Sequence, residues 1–301
     1  MKNPPTISTA PLAGLLAQVP VMRGEIHAAF VRDFLPLVLG EAGAITALQS
    51  KVADAEPDDN DPDESMPWDV EPDDMIEMQG AVAVVNITGK LCTGLSAFEA
   101  WCYGLTRSED ISAALSLVAM TPARAVVLNI NSPGGFSQGM PELAAQISAL
   151  SAVRPTAAFT NGQMCSAAYW LGSQCASVYS TISAQVGCVG TYAVFYDYSE
   201  MLKERGVSVD VIKAGDFKGM GVFGTSLSKE QRAFMQADVD RTNARFVSAV
   251  KSKRSGVDDA DLQGQWYDGE QSVEKKLADR VVGSLAALTG ELNRALVGYT
   301  F

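Results

Sequence analysis

Histidine is almost absent: the 301 residues contain one, His27. Cysteine is sparse and unpatterned. The five are Cys92, Cys102, Cys165, Cys175 and Cys188, an odd number with no C-x-x-C spacing. So few imidazoles and no paired thiols argue against a zinc site. The cysteines read as buried free thiols of a reducing compartment. Apolar runs of membrane-spanning length are missing too. The N-terminal "PLAGLLAQVPVM" has the flavour of a signal-peptide core, but Pro20 interrupts it. "RGE" then stands where small cleavage-site residues are needed, so a soluble cytoplasmic protein with no membrane partner is expected. No basic stripe with interleaved aromatics occurs, which excludes a nucleic-acid partner from the expectation. G-x-x-x-x-G-K-[ST] is absent, so there is no P-loop, and no cofactor is expected.

What is present is 47% hydrophobic and 19% charged, enough for one sizeable core, or one core and a small appendage. The formal net charge is −12, and residues 54–74, "DAEPDDNDPDESMPWDVEPDD", hold eleven Asp or Glu and no Lys or Arg. The rest of the chain is therefore nearly neutral. Eleven like charges and four prolines do not compensate the entropy of ordering, so 54–78 reads as an acidic flexible linker. Residues 1–53 read as a partly helical arm with Pro36 as a break. The sequence after the linker reads as one domain over 79–290, followed by a tail, 291–301.

Within that domain, short apolar runs alternate with helical patterns. Strands are expected at 80–89, 123–130, 154–162, in "CASVYST", in "VGTYAVFYD" and at 207–215. Helices are expected at 108–120 with Ser108 as N-cap, and at 138–150 with Met140, Leu143, Ala144 and Ile147 on one face. Others are "CSAAYWLGSQ", 199–206 closing on Gly206, and 228–253 opening with a Ser228/Gln231 capping box. Such alternation argues for an α/β fold with much parallel sheet.

Two turns could carry chemistry. "NINSPGGF" (129–136) follows a strand and precedes a helix. It is either an ordinary tight turn or a place where glycines expose backbone N–H groups to an anion or oxyanion; it lacks the dinucleotide pattern G-x-G-x-x-G. In "NGQMCSAAYW" (161–170), Ser166 opens a helix. Such a serine is a cap by default. As a nucleophile it would need a base, and His27 lies upstream of the acidic linker, which argues against a Ser-His-Asp triad. Lysine is the other common base, provided burial lowers its pKa. Lys218 stands among Phe217, Met220, Val222 and Phe223, with Lys213 shortly before it; the plain reading of either lysine is a solvated charge.

In order along the chain, "NSPGG" (131–135), "NGQMCSAAYW", "GCVG" (187–190) and "AGDFK" (214–218) resemble the motif set of the S49 serine peptidases, the signal peptide peptidase A group. "QWYDGEQSVEKKLADRVVG" (265–283) resembles the family's closing segment. The resemblance implies a ClpP/crotonase-like fold, with stacked, mostly parallel sheets and flanking helices. It implies Ser166 as nucleophile and Lys218 as general base. Gly134, Gly135 and Ala167 are the implied oxyanion donors. The family serine that holds the lysine falls on Cys188, so Thr191 or a backbone carbonyl is an alternative partner. The extra arm and acidic linker resemble phage and prophage members that mature capsids. The expectation is a homo-oligomeric ring, with the dyad formed either within one subunit or across a subunit boundary, in the host cytoplasm or inside a procapsid. Substrates would be protein or peptide: phage scaffold, portal or capsid proteins. General cytoplasmic peptide degradation, a non-catalytic assembly or scaffold-binding protein, and a crotonase-type acyl-CoA enzyme are the competing readings.

Overall fold

A computed structural model of the chain describes residues 70–297. The arm 1–53 and the linker up to residue 69 lie outside the described residues. The described chain forms two compact units, Tyr192–Asp240 and a larger one comprising the flanking residues on either side.

The larger unit is built on a six-stranded sheet in the order β1-β2-β5-β6-β8-β11. Its strands are β1 (Ile76–Gln79), β2 (Val82–Thr88), β5 (Ala125–Asn131), β6 (Thr156–Thr160), β8 (Ser177–Ser180) and β11 (Arg280–Val281). Only β1 runs antiparallel to its neighbour. β2 and β5 read as nearly unbroken buried runs because both sheet faces are covered. One face, with Val85, Leu128 and Ile130, packs in a cluster with residues of α2 (Ser108–Met120), α3 (Met140–Val153), α4 (Ala167–Gly172) and the end of α6 (Lys229–Lys253). The other, with Val84, Val127 and Phe159, packs against α8 (Leu285–Val297), which follows the short α7 (Gly269–Glu274), through Leu288, Leu292 and Leu296. A parallel pair, β3 (Lys90–Cys92) with β4 (Leu105–Arg107), flanks α1 (Ala97–Tyr103). A third sheet, β10-β9-β7, joins Trp266–Tyr267, Gln185–Gly187 and Gln163–Cys165. The expected α/β architecture, mainly parallel and flanked by helices, is observed.

Several boundaries differ from those expected. Met75 is buried and β1 begins at Ile76, inside the stretch assigned to the linker, because this strand covers the edge of β2. The expected tail is largely helix: α8 runs through Val297, and Asn293 accepts from Ala81 N–H at 2.8 Å and donates to Gln79 O at 2.8 Å. Ser108 is the first helical residue rather than the cap, and its buried hydroxyl meets Thr93 Oγ1 at 2.7 Å. Met140, Leu143, Ala144 and Ile147 form the buried face of α3 as expected. The cysteines are free thiols; Cys102 and Cys188 are only half-buried, where burial was expected for all five.

The smaller unit is turn-rich. It holds α5 (Ser199–Glu204), followed by Gly206 at φ 75°, and the start of α6 with the expected Ser228/Gln231 capping box. Among the described residues, the strands expected in "VGTYAVFYD" and at 207–215 do not form, and the chain runs irregularly there. Apolar residues without a neighbouring strand edge cannot satisfy their backbone as sheet. Tyr198 and Phe223 (5.0 Å between ring centroids) and Phe217 and Phe234 (5.1 Å) pair within the unit. Ile212, Val222 and Phe223 are exposed. Among the described residues, no helix is long and apolar enough to cross a membrane.

Candidate active site

Ser166 is placed by a short strand and a buried helix. β6 ends in the Asn161-Gly162 turn, where a Cβ on Gly162 would lie 2.3 Å from Asn131 Oδ1. β7 then runs beside the segment after β5: Ser132 N–H donates to Gln163 O (2.7 Å) and Cys165 N–H to Ser132 O (3.2 Å). α4 follows with all six residues buried. Trp170 stacks on Phe246 with ring centroids 4.7 Å apart, and Tyr169 Oη donates to Leu277 O at 2.8 Å. From Met164 to Cys175, Ser166 is the one residue not fully buried.

The default reading of Ser166 as a helix cap fails. Its backbone sits at φ 53°, ψ −126°, and its side chain makes no capping bond. A non-glycine residue held there costs roughly 1–3 kcal/mol, and such strain concentrates at functional sites. The conformation is fixed on both sides: Ser166 N–H donates to Gly187 O (2.9 Å), and Ser166 O accepts from Trp170 N–H (2.9 Å).

The Pro-Gly-Gly turn abuts this serine. A Cβ on Gly134 would lie 2.6 Å from Ser166 Cβ and 2.9 Å from Ala167 N. Gly134 has φ 100°, open to glycine alone at little cost. Gly135 lies as close to β3, where an added Cβ would meet Leu91 O at 2.0 Å. Ala167, first in α4, has no intrahelical acceptor for its N–H. The structure thus brings together Ser166, Gly134, Gly135 and Ala167.

The "GCVG" turn also adjoins the serine through the Gly187 carbonyl. Cys188 follows with φ 51°, half-buried, its N–H donating to Gln265 O at 2.7 Å. Thr191 closes this stretch of the larger unit and is half-buried. Nearby, burial, then Glu109, pushes the Cys92 thiol up to about 12, so it stays protonated.

Lys218 belongs to the smaller unit and is exposed, in keeping with the plain reading of a solvated charge and without the burial that makes a lysine a base. Its turn is held by Lys213, whose Nζ donates to Asp216 O at 2.8 Å, and by Gln231 Nε2 on the same oxygen at 3.1 Å. Residues 219–224, "GMGVFG", spell G-x-G-x-x-G, but no strand precedes them and no helix follows directly. Gly219 and Gly224 instead pack on Val211 and Leu202, so the pattern lacks a dinucleotide-binding context.

Sequence reasoning missed two groups. Asn131 accepts from Gln163 N–H (3.2 Å) and braces the turn before β7; buried Ser132 accepts from Gly134 N–H (3.1 Å). A Ser two residues before a turn glycine is a legible signal for such a bond.

The model of peptidase family S49 matches residues 148–295, a span that includes Ser166, Lys218 and the closing segment but begins after the Pro-Gly-Gly turn. The chain is 28% identical over 230 residues to the head-tail preconnector protein GP5 of Enterobacteria phage P21, covering 75% of this chain and 46% of that protein. It is 27% identical over 217 residues to capsid assembly protease C of Escherichia phage lambda, covering 71% and 49%. The chain thus spans about half the length of these curated relatives. A crystal structure of an enoyl-CoA hydratase/isomerase from Marinobacter aquaeolei overlays on 73% of this chain and 74% of its own, at 13% identity and a TM-score of 0.43, too loose a likeness to bear on activity.

Proposed function

We propose that the protein, whose residues 148–295 match the peptidase family S49 model, is a serine endopeptidase that processes scaffold and other head proteins during phage capsid maturation. Ser166 is the nucleophile and Lys218 the base. The observation that carries this reading is the strained, half-exposed Ser166 with an uncapped side chain, pressed against a glycine turn. The relatives in phages P21 and lambda supply the biological setting.

In this reading the Ser166 hydroxyl attacks a peptide carbonyl while a neutral Lys218 amine takes its proton. The carbonyl oxygen becomes an oxyanion held by the N–H groups of Gly135 and Ala167. The Lys218 ammonium then protonates the departing amine, and water, deprotonated by the same lysine, releases the acyl group. A lysine serves as base only when desolvated. The exposure of Lys218, with Ile212, Val222 and Phe223 also exposed in its unit, supports an assembly in which another copy covers this segment and completes the site. Cys188 and Thr191 are the side chains proposed to receive the lysine.

Purified Ser166→Ala and Lys218→Ala proteins should each lose casein cleavage by about 10³-fold or more. Their melting temperatures should stay within about 5 °C of the parent. Unchanged cleavage by either folded variant rules out its residue. A non-catalytic assembly role, which the cysteine at position 188 favours, is separated by labelling with a fluorophosphonate: modification of Ser166 excludes it.

A further inference from the structure

The segment linking β5 to α3 changes phase beside the nucleophile. Ser132 turns its N–H and C=O to β7. In a regular strand Gly135, three residues on, would turn its own to the opposite edge. It does not. Leu91 N–H donates to Gly134 O (2.9 Å) and Phe136 N–H donates to Leu91 O (2.9 Å), the two bonds of a parallel bridge centred on Gly135. The groups facing β3 therefore belong to residues 134 and 136. The N–H of Gly135 points away from β3, to the edge on which β7 and Ser166 lie.

The crank that shifts the phase is Ser132-Pro133-Gly134. Pro133 has its φ restricted by the ring. Gly134 takes φ 100°. The Ser132 hydroxyl, fully buried, closes the turn by accepting the Gly134 N–H at 3.1 Å. Without that acceptor the Gly134 N–H is buried and unpaired, and the adjacent glycine peptides have little steric resistance to rotation.

We infer that Ser132 is a positioning residue: its hydroxyl holds the turn in the phase that presents the Gly135 N–H to the oxyanion. This rests on the peptidase reading above. The side chain acts through the backbone and touches no reacting atom.

The test compares Ser132→Ala, Ser132→Cys and Ser132→Thr with the parent, and with Ser166→Ala as control, on fluorescent casein. Losing one oxyanion donor costs about 10²–10³ in kcat, so a misplaced one in Ser132→Ala should cost about 10–100-fold, with KM within about twofold. Fluorophosphonate labelling of Ser166 should slow in parallel, because the phosphonyl oxygen occupies the same site. Ser132→Cys, similar in size but a weak acceptor, should resemble alanine, and Ser132→Thr should recover activity to within about threefold. If Ser132→Ala fails to fold, the cysteine variant decides. Parent-like kcat in Ser132→Ala or Ser132→Cys, with Ser166→Ala inactive, overturns this inference and leaves the peptidase reading standing. Cleavage by Ser166→Ala overturns the assignment of Ser166 as nucleophile, on which this inference rests.

Discussion

Ser166 is held in a conformation that disfavours its own side chain, and this gives a prediction independent of catalysis. At φ 53° a glycine relaxes what serine and alanine cannot. Ser166→Gly should therefore melt higher than Ser166→Ala, by about 1 kcal/mol after allowing for the greater freedom of unfolded glycine. Equal melting temperatures in calorimetry would mean that no strain is stored there. The glycines opposite are constrained by contact rather than by chemistry. Gly135→Ala would drive a methyl into the backbone of Leu91, 2.0 Å from its carbonyl oxygen. It should displace the turn and abolish cleavage even where the far-UV circular dichroism is kept. At this scale the sequence was half informative. It marked Ser166, Gly134 and Gly135, but "cap" and "nucleophile" have the same local spelling. The positive φ of Ser166 and its missing side-chain capping bond, visible only in the folded chain, separate it from an ordinary cap.

Among the elements, a guanidinium just past the end of α6 ties that helix to the connection between α4 and β8, beside the Gln174 Nε2 bond to Ala249 O. Arg254, nearly buried, donates to Asp279 Oδ2 (2.6 Å) and to the carbonyls of Cys175 (2.8 Å) and Ala176 (3.2 Å), at the end of α4 and the start of β8. Asp279 is half-exposed, so water would rehydrate it if the arginine were lost. Arg254→Met should cost about 2 kcal/mol, below the value for a fully buried pair, measured by urea unfolding. A change near zero would show that packing and the Gln174 bond secure the helix.

The segment around β10, which supports Gly187 through β9, carries a pH-sensitive contact. Asp261 is held below the usual carboxylate range, first by the Tyr267 hydroxyl and then by Lys275. A depressed folded pKa gives stability that is present above the unfolded value and lost as pH falls through the folded one. Asp261→Asn should thus melt below the parent near about pH 7, and the gap should close as pH falls toward about 3. A gap independent of pH would contradict the ion-pair account. Element types in the larger unit were legible because apolar runs and helical spacing repeat there. The stretches "VGTYAVFYD" and 207–215 have the same composition, but among the described residues they join no sheet.

At the level of the whole molecule, Ser166 and Lys218 fall in different units, and Lys218 is exposed. If the dyad is completed between copies in a homo-oligomer, mixing equal amounts of unfolded Ser166→Ala and Lys218→Ala chains and refolding them together should restore about a quarter of the sites by random assortment. No recovery, with mixed oligomers verified by native mass spectrometry, would assign both residues to one chain.

The amino-acid sequence alone determined that this is an α/β protein with a serine and a lysine in ordered motifs and no usable imidazole. Those features are local: strand and helix periodicity, turn glycines and motif order are all written in short windows. Tertiary structure decided which serine is strained and left without a cap. It also bridged Gly135 to Leu91 and left Lys218 exposed. Each of these depends on residues far apart in the chain, Leu91 with Gly135 and Ser166 with Gly187. Backbone phase and burial arise only when those segments pack, so no short window of sequence can encode them.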